Sequence, residues 1–552
     1  MSDSSFILRQ KTKVNNHLDG ATSLKIFLMT RNYPNKPQLI LIIVLGITVF
    51  YFSANINKNL SNSSFADHTG KLKHLGGGPR ASNWKDANTT YEESPLASDD
   101  HGSDVAENEE ADAEVNGKDE EDSNIVSLTQ EPEADVAKEE AVTVAYAASF
   151  IKCENAASSG LIDASLVLRH SIHKISSRNP ESGSKYDYKM YAIVHRTQAI
   201  ECLDTIQDLG YEVIIVDPPF EVEDIQCEEV RVNMHFAWCC GHHEFIKLYA
   251  FNLTEEIFVH VDLDFSFHKP MDHLFDAILY EKDSPEGQEA RGKLELQFPE
   301  EQVLPDQIQS FITRDWGQVS PNRGWQSGYQ AGFMVGRRDP SIIQDVTNTV
   351  LTHEYAGGYS AETGWGRKGY AEFIVGARAM QGVMAYFYDE IRPNTAVELN
   401  ACRFNHLGMD MRYNEGGPWF ESNEQEGNCR DGRENCEQCK FTPAEDIYSI
   451  HFSPCGKPWK CVADEKLHKQ REIDVNHCFE LQRLWHALRT DFENELLTKT
   501  GDNSVKKLSQ GEYKTDTFLG HCRNETDYIS LLEFSDDVVQ ISSDLYNSTL
   551  AK

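Results

Sequence analysis

From Tyr186 onward the apolar residues fall into short runs separated by polar turns, in two alternating periods. Met190–Val194 (MYAIV), Glu212–Val216 (EVIIV) and Ile257–Val261 (IFVHV) are short and rich in β-branched and aromatic residues, which predicts buried strands. Between the first two, Ile200, Leu203, Ile206 and Leu209 recur at helical spacing behind Thr197, a capping type, and Gly210 stands where a helix C′ residue belongs. A helix through Phe245–Phe251 leads into IFVHV, and Gly332–Val335 is a further strand. Asp339-Pro340 then opens a helix carrying Ile342, Ile343, Val346 and Val350 on one face, and Cys478, Leu481, Leu484, Leu488 and Phe492 stripe another. These stripes read as core. Strand and helix in this rhythm predict an α/β sheet fold.

The N-terminal third has a different pattern. Leu39–Ile56 (LILIIVLGITVFYFSANI) is 18 residues without a charge, at the short end of what spans a bilayer. Before it stand six bases (Arg9, Lys11, Lys13, Lys25, Arg31, Lys36) and two acids, Asp3 and Asp19, which predicts a cytosolic tail by the positive-inside rule. A cleaved signal peptide or a buried core helix are the alternatives; the long basic region disfavours the first and the polar sequence that follows disfavours the second. The six N-x-S/T sequons, at Asn59, Asn62, Asn88, Asn252, Asn524 and Asn547, all follow this run, and all 13 cysteines lie beyond residue 150. Both distributions suit a body in an oxidising lumen.

The formal net charge is −36, which excludes a nucleic-acid backbone as partner. Tyr91–Glu140 alone has 19 acids against Lys118 and Lys138, so it carries −17 of that total. Residues 57–150 are poor in aliphatics and self-repelling, which predicts a disordered spacer between membrane and body. The expected organisation is a tail at 1–37, a signal-anchor at 38–56, an acidic stem at 57–150, a lead-in at 151–185, a catalytic domain at 186–495 and a C-terminal extension at 496–552.

The sharpest chemical signal is Asp262-Leu263-Asp264, two carboxylates spaced i, i+2 directly after IFVHV. At the carboxyl end of an α/β strand such a pair can converge on a hard divalent cation, Mn²⁺ or Mg²⁺. Asp pairs at strand ends also cap turns, and a metal-assisted phosphatase uses a similar D-x-D with Thr or Val where Phe265 stands here.

The stretch Phe245–Phe275, FIKLYAFNLTEEIFVHVDLDFSFHKPMDHLF, resembles the retaining family 8 glycosyltransferases, the glycogenin-like group, with Lys247, Asn252, Leu253, Pro270, Asp272, Leu274 and Phe275 at matching places. His451-Phe452-Ser453-Pro454-Cys455-Gly456-Lys457-Pro458-Trp459 is similar to that family's H-x-x-G-x-x-K-P-W block. Cys239-Cys240-Gly241, Gly364-Trp365-Gly366 and Gln381-Gly382 bring the likeness closer to the plant-type branch. The resemblance implies a single GT-A-like nucleotide-sugar-binding domain, a Rossmann-like mixed sheet flanked by helices, with Mn²⁺ held by Asp262, Asp264 and His451. It implies a UDP-sugar diphosphate met by Lys247, Gly456 and Lys457, and Gln330 and Gln381 near the sugar. Pro454 replaces the family's phosphate-approaching glycine, and Met380 replaces the acid of D-Q-G, so front-face transfer with retention is expected rather than double displacement. Taken alone, His451 would be an ordinary core histidine and Gln330 a strand-edge amide.

Cys429, Cys436, Cys439, Cys455 and Cys461 include one C-x-x-C, open to zinc or redox chemistry but better suited to disulfides, with Cys455–Cys461 one possible pair. An odd total leaves a thiol free or paired between chains. The resulting expectation is a Golgi-type, type II membrane glycosyltransferase acting on a glycan or protein acceptor, with a homodimer possible. The reading from another class is an inactive lumenal glycan-binding or scaffold protein on the same fold.

Overall fold

The computed structural model describes residues 27–31, 38–42, 141–152, 160–197, 200–236, 240–320, 323–409, 411–414, 428–461, 475–500, 520–524, 527–533, 538 and 546. The chain divides into two units, Met1–Val126 and Ser127–Lys552. The first contains an antiparallel pair, β1 (Phe27–Arg31) and β2 (Gln38–Ile42), with Phe27 opposite Ile42. The start of the expected anchor is therefore strand rather than helix, because an unbroken Leu/Ile run has no period that separates the two. Positions 43–56 and the expected stem as far as 140 lie outside the described residues. Among the described residues no helix is long and apolar enough to cross a membrane.

The second unit contains β3 (Thr143–Phe150), helix α1 (Leu161–Lys174), β4 (Asp187–His195), β5 (Glu212–Val216), β6 (Ile257–Val261), β7 (Phe265–Phe267), β8 (Ser310–Arg314), β9 (Tyr329–Arg337), β10 (Tyr355–Ala356), β11 (Gly364–Trp365), β12 (Ala396–Glu398) and β13 (Ser449–His451). Seven of them form one mixed sheet in the order β12-β8-β9-β6-β3-β4-β5. The pairs β6–β3, β3–β4, β4–β5 and β12–β8 are parallel, while β9 runs antiparallel to both β6 and β8. The α/β expectation is met, and the strands predicted at 190–194, 212–216, 257–261 and 332–335 all lie in this sheet.

One boundary is corrected. Thr143–Phe150, assigned from sequence to the spacer, lies between β4 and β6 with both edges paired. Its residues alternate between two cores: Val144, Tyr146, Ala148 and Phe150 face one, Ala145 and Ala147 the other. Phe492 and Leu496 of the helix Val475–Thr500 contribute to the first core, together with Leu166 and Leu168 of α1. Phe245, Ile246 and Leu248 of the 3₁₀ helix Gly241–Asn252, and Ile342, Val346 and Val350 of the helix Ser341–Thr352, contribute to the second. The fold proper thus starts before residue 150. The helix predicted behind Thr197 is a 3₁₀ turn, Ile200–Cys202, followed by Leu203–Asp208, and Gly210 takes the left-handed φ of 79° expected of it.

The described part of the C-terminal extension belongs to the body rather than the surface. Asp163 of α1 is fully buried and accepts from Tyr528 Oη at 2.7 Å, Ser530 Oγ at 2.9 Å and the Leu531 amide, while Arg489 pairs with it at 3.0 Å. Cys461–Cys522 fastens the same segment, and Cys402–Cys439, Cys429–Cys436 and Cys455–Cys478 are also bonded. The suggested Cys455–Cys461 pair is therefore wrong: the turn between them is clamped outward, to the helix Val475–Thr500 and to the extension. The C-x-x-C cysteines, Cys436 and Cys439, go to different partners and form neither a zinc nor a redox pair. Cys227 is a free thiol.

Candidate active site at the carboxyl end of β6

Strand β6 ends at Val261, so the next residues leave the sheet at the edge where α/β folds gather ligands. Asp262 stays in register through its amide, which donates to the Gly332 carbonyl at 3.1 Å. Asp264 then leads into β7, which pairs antiparallel with β13 so that Phe265 lies opposite His451. This pairing connects segments far apart in sequence. It brings one ligand-capable atom each from Asp262, Asp264 and His451 to within 4.8 Å of one another.

The donor set fits a hard divalent ion: two carboxylates and one imidazole. His451 Nδ1 lies 3.0 Å from Asn405 Oδ1, so the amide oxygen accepts the Nδ1 proton and turns Nε2, 3.4 Å from Asp264 Oδ2, toward the carboxylates as the candidate ligand atom. Asn405 is itself fixed, donating from Nδ2 to Thr313 Oγ1 at 2.7 Å and from its backbone amide to Ser449 Oγ at 2.9 Å. Gly332 closes the pocket floor: a Cβ there would stand 2.5 Å from His451 Cε1 and 2.9 Å from Asp262 Oδ2.

Two lysines complete the charge pattern. Lys247, on the helix Gly241–Asn252, lies 2.9 Å from Asp262 Oδ1 and 3.3 Å from Glu244 Oε1, and Lys457 contacts Asp264 Oδ2. Burial by itself would lower the Lys247 ammonium, but Asp262 and Glu244 together raise it above its ordinary value. Burial would likewise raise Asp264, and it is overcome by His451 and Lys457, which hold the carboxyl far below the usual range. Asp262 is lowered too, burial being outweighed chiefly by Lys247. Both carboxylates are thus ionised and ready to bind a cation.

The turn that carries Lys457 is held from behind. Gln482 Nε2 donates to the carbonyls of Cys455 at 2.9 Å and Gly456 at 3.2 Å, the Cys455–Cys478 disulfide ties the turn to the same helix, and Trp459 packs against Trp485. Gly456 adopts φ 80°, and a Cβ built there would have Gln482 Nε2 at 4.0 Å as its nearest neighbour.

Gln330 and Gln381, 51 residues apart in sequence, come together on a residue that sequence reasoning missed. Gln330 Nε2 donates to Asp315 Oδ1 at 3.1 Å and Gln381 Nε2 to Asp315 Oδ2 at 2.8 Å. Met380 is core, so the M-Q-G segment presents only its glutamine. Burial drives the Asp315 carboxyl up to about 6, against the opposing pull of Gln330, His451 and Gln381. The motif residues Asp272, Leu274 and Phe275 stand elsewhere: Asp272 accepts from Ser184 Oγ at 2.7 Å and the Lys185 amide at 2.9 Å, and the other two are core. They define the fold and not the chemistry.

No family model matches the chain, and no curated protein does. Among solved structures, a mouse xyloside xylosyltransferase 1 in its apo form is similar over 48% of this chain and 87% of that one, at 12% identity and a TM-score of 0.27. A galactosyltransferase, LgtC, in complex with donor and acceptor sugar analogs is similar over 62% of this chain and 95% of that one, at 9% identity and a TM-score of 0.28. The apo glycosyltransferase GlyE of Streptococcus pneumoniae is similar over 63% and 64%, at 11% identity and a TM-score of 0.28. At these scores the likenesses carry no argument, and the functional reading rests on the residues above.

Proposed function

We propose that the chain is a glycosyltransferase that moves a sugar from a UDP-sugar to a glycan or protein acceptor, with retention and with Mn²⁺ or Mg²⁺ as cofactor. The observation that carries this reading is the convergence of Asp262, Asp264 and His451, flanked by two buried or half-buried lysines, at the carboxyl end of a parallel strand. A divalent ion bound there would supply Lewis acidity toward a diphosphate leaving group. Asp262, Asp264 and His451 would hold that ion, with Asn405 setting the imidazole tautomer. Lys457, which contacts Asp264, would add its positive charge to the stabilisation of the departing diphosphate. Lys247 keeps Asp262 ionised and adds positive potential behind it. Gln330 and Gln381 would lie toward the transferred sugar.

A lumenal, Golgi-type location on a type II anchor accompanies this proposal. It draws on the one-sided sequons, the exposed position of Asn252, the disulfides and the basic tail before the apolar run. The test uses the full chain in detergent, with UDP-glucose, UDP-galactose and UDP-xylose hydrolysis followed with and without Mn²⁺. Turnover that needs the ion and is lost in Asp264→Ala is expected. If no donor is bound or hydrolysed and Asp264→Ala changes nothing, the enzyme reading is wrong and the scaffold reading stands.

A further inference from the structure

Asp315 directly follows β8, its amide donating to the Gly328 carbonyl at 2.9 Å beside the start of β9. On β9, Gln330 and Gly332 are two apart and share a face. That face is the one on which a Gly332 Cβ would meet Asp262 and His451. Gln330 therefore lies beside the candidate metal ligands, about 7 Å along the strand, and its amide bridges the two regions. Its Oε1 accepts from the Gly332 amide at 3.2 Å while its Nε2 donates to Asp315.

The carboxylate in this seat is peculiar in its partners. Every side chain that donates to it is a neutral amide: Gln330 and Gln381, with Gln318 more distant at 3.4 Å. Among the described residues no Lys or Arg pairs with Asp315, although it is 6% exposed. A buried carboxylate without a directly paired cation is costly, and its neutral amide partners offset only part of that cost. A carboxylate offers about four acceptor positions, and among the described residues Oδ1 receives only Gln330. Among the described residues the seat has acceptor capacity to spare and no directly paired cation, and Gln330 links it to the strand position beside which Asp262 and His451 would hold the ion.

We infer that Asp315 is a catalytic residue that contacts the transferred sugar, supplying from β8 the carboxylate that the M-Q-G segment lacks at Met380. The inference rests on the glycosyl-transfer reading and adds a residue to it. In the step, the bond from the anomeric carbon to the diphosphate oxygen breaks and its electron pair stays on that oxygen. The acceptor hydroxyl oxygen forms the new bond to the anomeric carbon on the same face, and its proton passes to the departing diphosphate oxygen. Asp315 makes no covalent bond. Its Oδ1 accepts a hydroxyl of the sugar in the ground state, and its charge opposes the positive charge that builds on the ring as the bond breaks.

The test compares binding and turnover in the full chain with Mn²⁺. By calorimetry, the wild type is expected to bind the best hydrolysed of UDP-glucose, UDP-galactose and UDP-xylose about tenfold tighter than UDP, and Asp315→Asn to lose that preference while binding UDP unchanged. Hydrolysis by Asp315→Asn should fall about a hundredfold in kcat, with Asp315→Glu recovering part of it. The inference is overturned if the wild type binds UDP and the UDP-sugar equally, a result independent of whether any variant folds, or if Asp315→Asn keeps wild-type kcat. Failure of UDP itself to bind with Mn²⁺ is a different result, which removes the glycosyl-transfer reading and this inference with it.

Discussion

Replacing Asn405 with alanine removes the side-chain oxygen that faces His451 Nδ1 and leaves all three candidate metal ligands in place. The Asn405 Oδ1 to His451 Nδ1 contact is 3.0 Å and buried, so its loss frees the ring to rotate and to place its proton on Nε2, the nitrogen needed as ligand. Removing such an outer partner lowers metal affinity by about 10- to 100-fold, roughly 1.4–2.8 kcal/mol. A second effect must be separated from this one. Asn405 holds φ 55°, where asparagine is better tolerated than alanine, so some stability is lost as well. Asn405→Asp is the control: it keeps an oxygen facing Nδ1 and a residue type suited to that backbone, although it gives up the donor to Thr313. The assay is calorimetric titration of Mn²⁺ into each variant in the presence of UDP, with thermal unfolding in parallel. Asn405→Ala should bind the ion at least tenfold more weakly, and Asn405→Asp should stay within a few-fold of the wild type. If folded Asn405→Ala binds Mn²⁺ within threefold of the wild type, Nδ1 orientation is not what makes His451 a ligand.

The two lysines should separate by role. Lys247→Met leaves Asp262 and Glu244 facing each other without their shared cation, and should lower stability by about 2 kcal/mol in urea unfolding, Asp262 being partly screened by its exposure. Lys457→Gln should change stability little but raise the KM for the UDP-sugar at least tenfold; equal effects of the two variants on both measurements would refute the assignment. Cys478→Ser opens the loop from Cys455, 23 residues long, and should cost ~3 kcal/mol while raising KM through the loosened Lys457 turn. Unchanged KM in that variant would detach the disulfide from the site. For Asp315, burial raises the folded-state pKa to about 6 from an ordinary 3.8. The folded chain then keeps a proton that the unfolded chain has released, so this group's stabilisation is complete below about 3.8 and is lost as pH rises through about 6. Asp315→Asn cannot ionise and should gain ~3 kcal/mol on the wild type between about pH 4 and pH 7; a pH-independent difference in urea unfolding would show that the carboxyl is not buried as described.

The sheet and half of the site were legible because both depend on local pattern. IFVHV followed by D-x-D puts two carboxylates at a strand end whatever the rest of the chain does. His451 was legible only inside its block, since what makes it a neighbour of Asp264 is the β7–β13 pairing, a long-range contact with no local signature. Asp315 was invisible for a related reason: D-W-G-Q after a strand reads as a turn, and only the convergence of Gln330 and Gln381 gives it chemistry. β3 was lost because it starts only three residues after the acidic tract and contains three alanines, so composition masked its alternation. Its signal was present in Thr143–Phe150, an uncharged octet followed by a helical pattern at Leu161–Lys174. Asp163 and Arg489 read as solvent-facing helix positions, and nothing local reveals that each is the other's buried partner.

The pairing of Asp262 with Lys247 and of Asp264 with Lys457 has a consequence for how the site would fill. With Glu244, which shares Lys247, three carboxylates face two ammonium groups, so the site has a formal charge of only −1 in a chain whose net charge is −36. A divalent ion alone would add two positive charges beside two lysines, and a diphosphate alone would add negative charge beside two aspartates. Each is opposed by its like-charged neighbours in a half-buried pocket, where such repulsion is screened less than at the surface. Entering together they would add nothing net, with the carboxylates available to the ion and Lys457 to the phosphate. The lysines are therefore not competitors that the ion must expel. They hold the carboxylates ionised until ion and nucleotide arrive together, which fits an acidic body that must still bind an anionic donor.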